Sequence, residues 1–242
     1  VGGTLNCGIY TISGSGNFVL SADANLLIGS ENGISLTGAT GNIQVSGIRA
    51  FNQFANYIYN GSTAQITGDG LPDSVKNLTI NNSTEVTLTS SISISDNLNL
   101  VNGNLLTNSN TLTLGSSITN LGTLNNSSGI ILGNFNRWLS NSTNILFPVG
   151  TSATKYTPVE LSNVIGSGSF IVNAIPGAHP NALGSNVLQM HWKLTNGGIT
   201  SADITFNYLD SDVIGEENQY ELGRYNGVSW DIISPITLNT TN

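Results

Sequence analysis

The chain has 242 residues, of which only 8% are charged, with 6 Lys plus Arg against 14 Asp plus Glu and a net charge of −8. A surface this short of cations cannot neutralise a phosphate backbone, so nucleic acid is excluded as a partner. No apolar run approaches the roughly 20 residues of a membrane-spanning helix, and a single cysteine, Cys7, leaves no intrachain disulfide. Asparagine outnumbers even the 28 glycines, so solubility rests on amides and hydroxyls. The start at Val1, without Met or a charged-then-apolar leader, reads as a processed product or an excised fragment from which any signal peptide is already gone.

The first 59 residues show short alternating sets: Leu5/Cys7/Ile9, Phe18/Leu20, Leu26/Ile28, Ile34/Leu36 and Ile43/Val45. Cys7 sits in one of these sets and reads as a small buried hydrophobe. Ser13-Gly14-Ser15-Gly16 and Gly38-Ala39-Thr40-Gly41 are turn material between them. No window sustains an apolar period of 3.6, so no long helix is expected. Between Ile48 and Leu71, Phe51, Phe54, Tyr57 and Tyr59 concentrate aromatic mass around a turn at Asn60-Gly61, whose residues tolerate positive φ. This stretch, near 48–72, predicts an excursion packed on the rest. The four rings are either core filling or a carbohydrate-stacking patch.

From Val75 the repeat is clearest. Leu78 to Leu98, Leu98 to Ile118 and Ile92 to Leu112 each span about 20 residues, a coil of three short strands and three bends. Members of each apolar pair point inward and the residue between them outward. Stacked coils bury a continuous Leu/Ile/Val column, and stacked Asn can form amide ladders along the stack. One coil cannot bury its own apolar face, so the repeats stand or fall together.

Composition shifts near residues 133–144, where a domain boundary is expected. Beyond it, candidate strands at 144–148, 156–162, 168–174, 187–194, 202–209, 219–225 and 228–233 suggest a seven-stranded antiparallel sandwich. Tyr225-Asn226-Gly227-Val228 signals a hairpin with Trp230 on the return strand, and Trp192 is expected in the core. Pro158 and Pro235 belong at edges or strand starts. The expected fold is therefore all-β: a parallel β-solenoid (β-helix) over residues 1–138, followed by a β-sandwich over 139–242.

Chemistry-bearing patterns are sparse. His179 and His191 lack metal-site spacing, and no Gly-x-Ser-x-Gly elbow is present. Asp69, Asp73, Lys76, Glu85 and Asp96 are scattered through the coils, without the close carboxyl pair that glycoside hydrolysis needs. The densest acidic group, Asp210, Asp212, Glu216 and Glu217, reads as a solvated loop or as a calcium site with hard oxygen ligands at alternate positions.

Several strings carry a resemblance. Tyr59-Asn60-Gly61-Ser62-Thr63-Ala64-Gln65, Val75-Lys76-Asn77-Leu78-Thr79-Ile80-Asn81-Asn82, Leu98-Asn99-Leu100-Val101-Asn102-Gly103-Asn104-Leu105, Phe147-Pro148-Val149-Gly150 and Trp192-Lys193-Leu194-Thr195 are similar to repeats of large surface proteins of Bacteroidetes and relatives. That resemblance implies export, often by the type IX route, and a role as adhesin, stalk or envelope fibre. It supplies no catalytic residues, and no sorting domain of that type follows Trp230. The resulting expectation is a non-catalytic extracellular surface protein, structural or adhesive, that joins copies of itself head to tail or meets other surface proteins. The alternatives are a carbohydrate-binding module and a polysaccharide-degrading β-helix enzyme. No cofactor is expected beyond the candidate calcium.

Overall fold

The computed structural model describes residues 1–142, 144–234 and 236–239. Pro235 lies outside the described residues. The N-terminal part is a parallel β-solenoid of about 6 turns. Coil one contains β1 (Thr4–Asn6), β2 (Ile12–Gly14) and β3 (Phe18–Val19); coil two contains β4 (Asn25–Ile28), β5 (Ile43–Val45) and β6 (Arg49–Ala50). Coil three opens with β7 (Asn56–Tyr59) and β8 (Gln65–Ile66). Beyond it the strands run through the bends: β9 (Ser74–Thr87) finishes coil three and starts coil four, and β10 (Ile92–Leu114) finishes coil four and makes coil five. Coil six contains β11 (Thr123–Asn126) and β12 (Ile130–Leu139).

The period-two pairs fall on the inside. Leu5, Leu26, Tyr57, Leu78, Leu98 and Leu124 stack in register, and beside them Ile28, Tyr59, Ile80 and Leu100 form a second column. From Leu26 to Leu100 every member of both columns is fully buried. Cys7 continues the second column below Ile28, its N–H bonded to the Leu27 carbonyl, and burial raises its thiol pKa. Parallel strands stack about 4.8 Å apart, so the six coils rise only ~24 Å.

The step between coils is less uniform than 20. Equivalent first-strand residues are separated by 21, 31, 21, 20 and 26 positions. Leu98 pairs with Leu124, not Ile118, because residues 115–122 form an added loop in which Ile118 is half exposed. The larger addition is residues 29–42 in coil two. Its Ile34 is buried and runs beside coil three, bonded to Thr67 and Gly70, before β5 and β6 return to pair with β2 and β3. The buried Arg49 pins this loop by donating to the carbonyls of Ser35, Gly38 and Val45 and to the Ser35 hydroxyl.

The excursion expected near 48–72 is therefore displaced toward the N-terminus. Residues 48–72 continue the coil, with β6 on β3 and β7 between β4 and β9. Asn60 and Gly61 do not adopt positive φ. Their corner is held by the buried Gln65, whose Oε1 accepts from the Gly61 N–H and whose Nε2 donates to the Ile28 and Ser30 carbonyls. Asn42 and Asn82 bridge neighbouring coils at the same corner. Each satisfies backbone groups that a bend would otherwise leave buried and unpaired.

The C-terminal part consists of β13 (Ile145–Phe147), β14 (Gly150–Ser152), β15 (Lys155–Tyr156), β16 (Val159–Pro176), β17 (Met190–Phe206), two single 3-10 turns at Asp210–Asp212 and Glu217–Gln219, and the hairpin β18 (Gly223–Tyr225)–β19 (Trp230–Ile232). These strands do not pair as a seven-stranded sandwich of their own. Residues 135–139 of β12 pair antiparallel with 172–168 of β16, so the coil's sheet passes directly into the C-terminal strands. Phe135, Phe147 and Phe170 close the junction with centroids 5.7 and 5.9 Å apart.

Four of the expected strands are fused into two. Gly166-Ser167-Gly168 reads as a turn in the sequence but faces Gly197-Gly198 inside the β16–β17 ribbon, where register shifts mark bulges. A Cβ on Gly168 would stand 2.2 Å from the Gly197 carbonyl oxygen, so glycine here permits close backbone approach rather than reversal. Pro158 immediately precedes β16, and the Asn226 hairpin forms as expected, with Tyr225 opposite Trp230.

Candidate functional site

The four aromatic candidates do not share a surface. Tyr57 and Tyr59 are fully buried in the inward columns, with hydroxyls donating to the carbonyls of Asn52 and Thr67. Burial raises both phenol pKa values, and for Tyr59 the neighbouring Tyr57 adds to it. Phe51 packs on Phe18 at 5.6 Å, and only Phe54 is exposed. Core filling is the role the geometry gives the tyrosines.

The acidic candidates also point to separate partners. Asp212 is buried and pairs with Lys155, while Glu217 accepts from the Tyr208 hydroxyl. Burial and that contact push the Tyr208 pKa up to about 12. Asp210 shares the 3-10 turn with Asp212, and the Glu216 backbone is bound to Asn186 at N–H and carbonyl. Among the described residues no group of three or more His, Cys, Asp or Glu side chains is gathered to hold a metal ion.

The extended polar feature that the structure does assemble is a face of the coil. Asn25, Asn56, Asn77 and Asn97 each precede an inward residue and so project outward from the first strand of four successive coils. Their amides form a ladder: Asn25 Nδ2 donates to Thr4 Oγ1 (3.0 Å), Asn56 Nδ2 to Asn25 Oδ1 (2.8 Å), Asn77 Nδ2 to Asn56 Oδ1 (2.6 Å) and Asn97 Nδ2 to Asn77 Oδ1 (2.7 Å). A second row, two residues on, links Thr79, Asn99 and Asn125. The rows border a shallow groove that Ile58 also lines. The ladders run along the coil axis and carry no charge. They resemble the amide stacking of cross-β stacks and are suited to stiffening and to hydrogen bonding. The recurring signal for the first row in the sequence is Asn directly before Leu or Tyr at the start of coils two to five.

A second assembly lies at the C-terminal hairpin. His179 stands 5.0 Å from His191, 4.9 Å from Tyr225 and 5.0 Å from Trp230, centroid to centroid. Trp230 Nε1 donates to the Asn181 carbonyl, and His179 Nδ1 accepts from the Asn181 N–H. The histidines, separated by turns in sequence, are brought together by the loop joining β16 to β17. Trp192 is half-buried on β17, its ring tilted against Phe206 at 4.8 Å and its indole N–H donating to the Thr157 carbonyl.

At the junction, Arg137 is largely buried over the Phe147 ring, its Nη1 donating to Leu146, and burial lowers its pKa to about 10. No helix among the described residues is long and apolar enough to cross a membrane. No known family model matches the chain, and neither a curated protein nor a solved structure shows significant similarity to it.

Proposed function

We propose that this chain is a non-catalytic, extracellular structural module of the cell surface whose coil assembles end to end with further copies of itself. The observation that carries the reading is the pair of open strand edges at opposite ends of one continuous sheet. Among the described residues β1 pairs only with β4, and β17 only with β16. An open edge is a template for another strand, and two unlike edges generate a head-to-tail contact that does not close on itself.

Magnitude supports assembly over a role as a single spacer. Six coils rise only ~24 Å, no more than an ordinary domain, so length is gained only in series. The uncharged amide ladders and the low overall charge fit a stiff surface element, and the resemblance to Bacteroidetes surface repeats points the same way. The carbohydrate-binding reading is weaker, since two of its four rings are interior.

The test is electron microscopy and sedimentation of the purified chain over a range of concentration. The expected result is rods that lengthen with concentration, and their loss in Thr4→Pro, which blocks the β1 edge. Single particles at every concentration would overturn the reading.

A further inference from the structure

We propose that Lys155 and Asp212 are the site of an intramolecular amide crosslink, formed by condensation of their side chains once the chain has folded. The two residues lie 57 positions apart and meet where the β14–β15 hairpin packs against the 3-10 turn that follows β17. Lys155 Nζ donates to Asp212 Oδ1. Asp212 is only 2% exposed, and its backbone is fixed on both sides, its N–H bonded to Leu209 and its carbonyl to Gln189.

The second carboxylate oxygen, Oδ2, is buried and has no hydrogen-bond partner among the described residues. A buried carboxylate oxygen without a partner carries an uncompensated desolvation cost. The other two ion pairs differ. Asp23 of Lys76–Asp23 is 73% exposed, and Arg224–Asp231 is exposed and has no amine nucleophile.

The chemistry balances without a co-reactant. The lysine ammonium gives a proton to the carboxylate, leaving a neutral amine beside a carboxylic acid. The amine lone pair forms the Nζ–Cγ bond, a second amine proton is lost to the departing oxygen, and the Cγ–O bond breaks. One water leaves and one oxygen stays as the amide carbonyl. Nothing is oxidised or reduced. Holding both groups in contact supplies the effective concentration that makes such a step intramolecular. Lys155 remains 37% exposed, which opens a path for the departing water. The product neutralises both charges and removes one carboxylate oxygen from the site. It would also close a covalent loop in a chain whose one cysteine is buried in coil one.

Intact mass spectrometry of the full, denatured chain tests this. The expected mass is one water below that of the sequence, and peptide mapping should recover a branched peptide joining the segments of Lys155 and Asp212. Lys155→Arg, which retains a cation, and Asp212→Ala should each restore the full sequence mass. A wild-type chain at full sequence mass overturns the proposal. So does loss of water without a branched peptide, the signature of a cyclic imide at an aspartate.

Discussion

Asn77 donates from Nδ2 to Oδ1 of Asn56 at 2.6 Å across adjacent coils, while its own Oδ1 accepts from both the backbone N–H and the Nδ2 of Asn97. One half-buried amide thus joins three coils. Replacing it with Ala removes three hydrogen bonds and leaves the Asn97 N–H to water. Net hydrogen-bond contributions are about 0.5–1.5 kcal/mol each and are reduced where water can substitute. Asn77→Ala should therefore lower stability by about 1–3 kcal/mol in urea unfolding, with the midpoint shifted and the slope unchanged. An unchanged midpoint would mean that the ladder decorates the coil without holding it.

Gly103 makes a sharper test of the coil. Its φ is +84°, and a Cβ there would lie 1.6 Å from the Asn82 carbonyl oxygen of the coil below. Both the backbone and its neighbour must move for Ala to fit. Gly103→Ala should cost at least about 3 kcal/mol. Gly16→Ala, with ordinary φ and nothing within 4 Å, should stay within about 0.5 kcal/mol. Equal melting temperatures for the two variants would contradict the corner geometry.

The inward columns are legible in the sequence because a strand's side chains alternate, so Leu78/Ile80 and Leu98/Leu100 announce their own orientation. The insertions are not. Ile34 looks like any strand residue, and what marks its loop as an addition is the pairing of β5 with β2, a contact across 31 positions. Tyr57 and Tyr59 leave core filling and a surface patch both open in the sequence, because aromatic mass fits either. An inward tyrosine is equally stable once Asn52 and Thr67 supply acceptors, and a sequence does not show acceptors. Gly168 does mislead, because a glycine allowing close approach is spelled like a glycine allowing a turn. The Lys155–Asp212 and His179–Trp230 contacts join distant segments and leave no local pattern at all.

Tyr59 separates packing from hydrogen bonding in the core. Its hydroxyl donates to the buried Thr67 carbonyl at 2.8 Å, and the ring fills the column between Ile28 and Ile80. Tyr59→Phe keeps the ring and should cost about 1–2 kcal/mol. Tyr59→Ala leaves a cavity and should cost about 3–5 kcal/mol. Phe54→Ala, at an exposed ring, should be close to neutral by the same denaturant titration.

The hairpin β18–β19 should dock in a pH-dependent way through His179. In the docked form the His179 ring is enclosed by His191, Tyr225 and Trp230, and its Nδ1 accepts from the Asn181 N–H, which requires that nitrogen to be unprotonated. Burial lowers the His179 pKa below 6.5, and a charge on His191 lowers it further. The undocked form therefore binds the proton more tightly, and acid favours it. Docking is complete above the ordinary value of 6.5 and weakens as pH falls from there toward the lowered pKa, below which the loss levels off. The nearby Arg224–Asp231 pair bridges β18 and β19 within the hairpin. Hydrogen exchange of the Trp230 indole N–H, held by the Asn181 carbonyl, reads the docking directly. Its protection should drop as pH falls below the ordinary value of 6.5, while the buried amides of Leu78 and Leu98 stay protected. In His179→Gln, which cannot be protonated, protection should no longer vary over that range. Persistence of the same pH dependence in that variant would assign the effect to another group.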